Sequence, residues 1–97
     1  MKNKIITNAT LKIHPNFIDE VLPFANETRS LILIEEGCET FMLMKKAEEP
    51  DTIVIFAVYT SKEAYDWHLE QYYVKNFFAF LQGKLIAEPE VTYLEEI

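Results

Sequence analysis

Hydrophobic and polar positions partly alternate along residues 5–13, IITNATLKI, and the run closes at His14-Pro15. With its β-branched side chains this stretch predicts a first strand, ended by a proline that cannot donate to a ladder but can open a helix. From Asn16 to about Ile34 the period becomes helical: Phe17, Val21 and Phe24 recur, with Ile18, Leu22 and Ala25 beside them. Pro23 falls inside this helix and is expected to kink or break it, since an interior proline costs on the order of 3 kcal/mol. Residues 31–34 are apolar on every side, so the last turn is expected to be buried or to end early. Glu35-Glu36-Gly37 then supplies the stop, with Gly37 suited to the left-handed position after a helix.

Residues 38–46 and 52–59 read as two strands joined by the turn sequence AEEPD. The second is apolar on both faces, with Ile53, Ile55, Ala57 and Tyr59 on one and Val54, Phe56 and Val58 on the other. A strand of this kind, covered on both sides, sits centrally or has one face in a core and the other in an interface. Thr60 and Glu63 have the spacing of a capping box. Residues 61–82 follow with helical periodicity, as one helix or as two broken near Gln71, and Gly83 ends them. Residues 84–95 return to strand, interrupted at Pro89. The order β-α-β-β-α-β, over one domain spanning 1–97, is an α+β ferredoxin-like pattern in which two helices cover one face of a four-stranded antiparallel sheet. The other face needs a cover, and a second copy of the chain is the economical one, so a homodimer is expected.

Composition narrows the function. The chain is 49% hydrophobic and 13% aromatic, which a disordered segment is not. A net charge of −7, with Lys45-Lys46 followed at once by Glu48, Glu49 and Asp51, speaks against nucleic-acid and anionic-membrane partners. One cysteine, Cys38, rules out an internal disulfide framework and a cysteine-rich metal site. No signal-peptide pattern and no long apolar span occur, and a cytoplasmic location is expected.

Three stretches resemble a known family. Glu36-Gly37-Cys38 stands before the second strand, FAVY (56–59) ends the third, and SKEAYDWHLEQYYVKNF (61–77) follows it. The closing GKLIAEPEVTYLEEI (83–97) is similar to the same family's last strand. The family is the antibiotic-biosynthesis-monooxygenase type of dimeric α+β barrel. The resemblance implies a homodimer whose sheets pack into a barrel, with C-terminal strands passing between subunits. For many members it implies oxidation of quinols or polyketide-like phenols by dioxygen with no metal, flavin or haem cofactor; others degrade haem, isomerise small metabolites or have no assigned activity. Many members carry a Glu in the third strand where this chain has Ala57. The haem-degrading branch has an Asn in the first strand, which Asn8 matches, but its helical Trp position is held here by His68.

His68 is the leading candidate for chemistry. Its spacing from Ala64 and Tyr72 turns it inward, and an imidazole is a fitting general base for a phenol or quinol proton. The plainer alternative is a core histidine bonded to a backbone carbonyl. Asn8 could orient a substrate oxygen through its amide, or stand on the solvent side of a strand. Trp67, Tyr65, Tyr72, Tyr59 and Phe77, with Tyr73, could wall a flat aromatic ligand, or serve as core and interface. Cys38 reads as an inert buried thiol, His14 as a surface residue, and Glu35-Glu36 as solvated charge. No metal-ligand spacing, phosphate loop or nucleophile elbow is present. The expected function is cofactor-independent monooxygenation of a small aromatic or quinol-type compound, with His68 and Asn8 as catalytic residues. The alternatives are a non-catalytic dimeric small-ligand-binding or stress-response module, and an oxygen-independent isomerase of a small carbonyl metabolite.

Overall fold

The computed structural model describes residues 4–97. Strand β1 (Ile5–Lys12) leads through a short 3-10 turn, Pro15–Phe17, into helix α1 (Ile18–Ile32). The hairpin of β2 (Cys38–Lys46) and β3 (Glu49–Tyr59) follows, then helices α2 (Lys62–Leu69) and α3 (Tyr72–Leu81), and strand β4 (Glu90–Leu94). The sheet is antiparallel in the order β2-β3-β1-β4. This is the expected α+β ferredoxin-like arrangement, with the second helical segment split at Gln71.

Local chemistry explains the element ends. His14 is exposed, and its Nδ1 accepts from the Asn16 amide, capping the 3-10 turn. Pro23 sits within α1 without ending it. The helix stops at Ile32, leaving Leu33 and Ile34 exposed, so its apolar last turn ends early. The β2–β3 turn is tighter than AEEPD: only Ala47 and Glu48 turn, and Lys46 pairs with Glu49. Pro50 is tolerated in β3 because the register slips between Lys45 and Lys46, an irregularity that relieves it of a ladder donor. The N-cap of α2 is Ser61, whose hydroxyl accepts from the Ala64 amide; Thr60 does not fill that place. Gly83, at φ 81°, is the one described residue with positive φ, so Gly37 is not a left-handed cap.

The pleat sorts the sheet into two faces. Toward the helices lie the paired rows Leu43–Ile55–Ala9–Val91 and Phe41–Ala57–Thr7–Tyr93. The core sits there, where Leu11, Ile13 and Ile53 pack against Val21 and Ala25 of α1 and Phe77 and Leu81 of α3. The opposite face carries the rows Met44–Val54–Thr10–Glu90, Met42–Phe56–Asn8–Thr92 and Thr40–Val58–Ile6–Leu94. None of the described residues covers it, and Met42, Met44 and Leu94 stand exposed. No helix of the described residues is long and apolar enough to cross a membrane.

Candidate active site

The site is built on the connection between α1 and β2. The Glu35 amide donates to the Ile32 carbonyl at 3.0 Å, and the Cys38 amide donates to the Glu35 carbonyl at 3.2 Å. The Thr60 amide donates to the Gly37 carbonyl at 2.9 Å, pinning this connection to the β3–α2 junction. A Cβ at Gly37 would overlap the Ala64 side chain, so glycine is what lets α2 lie directly against the connection. Pressed together in this way, Glu35 and the last turn of α2 face each other.

Glu35 is therefore not solvated charge. It is 8% exposed, and His68 is 5% exposed. His68 Nδ1 donates to both carboxylate oxygens, 3.0 Å from Oε1 and 2.9 Å from Oε2, and the Tyr73 hydroxyl donates to Oε2 at 2.6 Å. A buried carboxylate without partners is costly, and these donors offset that cost. The carboxylate accepts, so Nδ1 carries the hydrogen and, in the neutral ring, Nε2 is left as an acceptor. The Tyr59 hydroxyl lies 3.1 Å from Nε2, completing the series Tyr73–Glu35–His68–Tyr59. Burial, with Cys38 and Glu35 nearby, pushes the Tyr59 hydroxyl well above the ordinary phenol range. Burial and then the bond to Glu35 do the same for Tyr73. The half-buried Cys38 thiol is pushed up to about 11, by burial first and by the Glu35 charge second, which makes it a poor nucleophile at neutral pH.

His68 and Tyr59 form the polar end of a cavity of about 100 Å³ between the sheet and the helices. Its other walls are mainly apolar and include Ile55, Ala57, Phe41, Val74 and Phe77. Phe78 and Val91 also line it and are about half exposed, so it opens at that end. Tyr65 lines it as well, and its hydroxyl lies 3.0 Å from that of Tyr93, tying α2 to β4.

The structure thus brings together His68, Tyr59, Tyr65 and Phe77. It leaves apart three other residues expected at the site. Asn8 alternates with the cavity-lining Thr7 and Ala9, and so lies on the uncovered face of the sheet. Trp67, 55% exposed, borders a surface depression beside Gly37 and Thr60. Tyr72, 68% exposed, packs edge-on against Tyr73 outside the cavity. Among the described residues no group of three His, Cys, Asp or Glu is placed to hold a metal ion.

Comparison with known proteins agrees with this fold. The family model described as antibiotic biosynthesis monooxygenase matches residues 4–79. A conserved protein from Methanosarcina mazei Go1 superimposes with a TM-score of 0.92 at 20% identity, covering 99% of this chain and 95% of that one. Rv0793 from Mycobacterium tuberculosis gives a TM-score of 0.91 at 21% identity, with 98% and 96% covered. A structure described as antibiotic biosynthesis monooxygenase gives 0.91 at 19%, with 96% and 98% covered. At these identities the likeness is one of fold. No curated protein sequence matches the chain at a significant level.

Proposed function

This chain belongs to the antibiotic biosynthesis monooxygenase family, and from that premise we propose that it is a cytoplasmic, homodimeric monooxygenase of small aromatic or quinol-type compounds that needs no metal, flavin or haem. The observation that carries the reading is the buried Glu35–His68 pair, whose second ring nitrogen meets the Tyr59 hydroxyl at the polar end of a mainly apolar cavity. A phenolic or enolic proton taken up by that nitrogen leaves an electron-rich anion, the form that reacts with dioxygen. The imidazolium produced is stabilised where it stands by the Glu35 carboxylate. Dioxygen is both oxidant and oxygen source: one atom replaces two hydrogens of a ring methylene as a carbonyl, and the other leaves with those hydrogens as water. The mainly apolar walls suit a neutral ring and keep water from the anion.

The homodimer reading is supported by the uncovered sheet face, where Met42, Phe56, Val58 and Leu94 form an apolar surface that a second copy would bury. A second functional reading is favoured by Ala57, which stands in the cavity wall with no carboxylate of its own. In that reading the dimer holds its ligand without turnover.

The test is oxygen uptake by metal-stripped protein with single-ring hydroquinones, naphthoquinols and anthrones, beside His68→Ala. Protein-dependent uptake that falls by about 100-fold in the variant is the expected result for loss of a general base. Uptake unchanged in His68→Ala removes His68 as the base. Ligand that binds and is recovered unchanged, with uptake no faster than in buffer, favours the binding module.

A further inference from the structure

Both ring nitrogens of His68 are already occupied. Nδ1 is held by Glu35, and Nε2 faces the Tyr59 hydroxyl at 3.1 Å. A ligand that bonded the ring directly would have to break a buried hydrogen bond first. Tyr59 has no such constraint. With its hydrogen given to Nε2, its oxygen keeps acceptor capacity, and the residue lines the same cavity.

We propose that Tyr59 is the group that meets the ligand, accepting its hydroxyl hydrogen bond and relaying its proton to His68. This rests on the cavity being the ligand site described above. In the relay the ligand O–H bond breaks as a new O–H bond forms at Tyr59. The original Tyr59 O–H bond breaks as an N–H bond forms at His68 Nε2. No electrons change owner, and Tyr59 ends with one hydrogen, as it began. The direction of its hydrogen bonds has reversed: Nε2–H now donates to the Tyr59 oxygen, and Tyr59 donates to the aryl oxide. The same hydroxyl thus recognises the neutral ligand as an acceptor and stabilises the anion as a donor.

The geometry also fixes a ligand class. The inner end of the cavity offers the Tyr59 oxygen as an acceptor, with the Glu35 carboxylate behind the His68 ring, so it suits a neutral hydroxyl compound better than an aryl carboxylate. At about 100 Å³ the space is smaller than the roughly 150 Å³ cavity known to hold a benzene ring. A single-ring phenol, reaching toward the opening at Phe78 and Val91, is the natural fit.

Tyr65 is the nearest rival, since it too lines the cavity. Its hydroxyl is engaged by Tyr93 at 3.0 Å, and no bond joins it to His68. Its ring lies nearly parallel to that of His68, at 18° and 6.3 Å between centroids, a contact that gives a proton no path to the base.

The experiment uses 4-nitrophenol, a single-ring probe whose colour reports its ionisation, with wild-type protein and Tyr59→Phe. Wild-type protein is expected to bind the probe and to raise its ionised fraction above that in buffer at the same pH. Tyr59→Phe keeps the ring and the cavity, so it is expected to bind the probe while its ionisation constant falls by about tenfold, the loss that goes with one hydrogen bond to a charged oxygen. A Tyr59→Phe protein that ionises bound probe as fully as wild type overturns the relay while leaving the cavity as the ligand site. A wild-type protein that does not bind the probe overturns the ligand site itself and the relay with it. Should Tyr59→Phe fold poorly, 3-fluorotyrosine placed at position 59 gives a second reading. Its stronger donor is expected to raise the ionised fraction, and an unchanged fraction overturns the relay.

Discussion

Glu35 and His68 stand 33 positions apart in the chain, yet the histidine Nδ1 lies 2.9 Å from the carboxylate Oε2, with both side chains buried. The pair joins the end of α1 to the end of α2, so it is structural as well as chemical. Glu35→Ala removes the acceptor, leaves the buried His68 N–H without its partner and releases the half-buried Tyr73 hydroxyl. The expected cost is about 3 kcal/mol of stability, read as a drop in the urea midpoint, with oxygen uptake falling because the ring is no longer held. A midpoint equal to that of wild type would contradict the buried network.

The close approach of Gly37 and Ala64 gives an independent handle on the same geometry. Gly37→Ala forces α2 and the α1–β2 connection apart, at an expected cost of about 1–3 kcal/mol. The double variant Gly37→Ala/Ala64→Gly makes room for the added methyl and is expected to recover part of that loss. If the second change only adds its own helix penalty of about 1 kcal/mol, the contact is not the constraint.

The pattern of the chain shows most of the fold and half of the site. Strand alternation and helical period locate the elements because each is local. Glu35 was hidden because its burial depends on a helix 33 residues further on. Beside Glu36 and at a helix end it has the look of solvent-exposed charge, and its one local signal is that a glycine follows two positions later. Asn8 could have been placed by alternation, since Ala9 and Leu11 mark the core side of β1 and Asn8 falls between Thr7 and Ala9. Trp67 adjoins His68 on a helix, and adjacent helical positions point apart. Tyr72 lies beyond the break at Gln71, where spacing counted from His68 no longer holds its meaning.

Dimerisation through the uncovered sheet face is checked by sedimentation. Phe56→Glu puts a charge in the middle of that face, in the row with Met42 and Asn8, and is expected to convert a dimer to a monomer. Asn8→Ala, in the same row, is expected to leave the turnover per intact dimer within about twofold, since its side chain is on the face opposite the cavity. A Phe56→Glu protein that stays dimeric would place the interface elsewhere.

Alkaline conditions should weaken the fold. The Cys38 thiol is raised from 9.0 to about 11, and the Tyr59, Tyr65 and Tyr73 hydroxyls are raised above 10.0, in each case by burial first. The unfolded chain therefore loses these protons at lower pH than the folded one, so it binds fewer protons in that range and stability falls as pH rises. Urea midpoints are expected to begin dropping near pH 9, as Cys38 ionises in the unfolded chain, and to drop faster above pH 10, when the tyrosines join it. A midpoint that stays flat through that range would contradict the burial of these groups.

Glu35 holds the hydrogen of His68 on Nδ1 and leaves Nε2, beside the Tyr59 hydroxyl, as the proton acceptor. Nitrogen NMR of ring-labelled His68 at pH 8, wild type beside Glu35→Gln, reads this directly. The expected result is a hydrogen on Nδ1 and a bare Nε2 in the wild type, with that preference weakened when the carboxylate becomes an amide. A wild-type ring with its hydrogen on Nε2 and a bare Nδ1 would contradict it, because the nitrogen facing Tyr59 could then accept nothing.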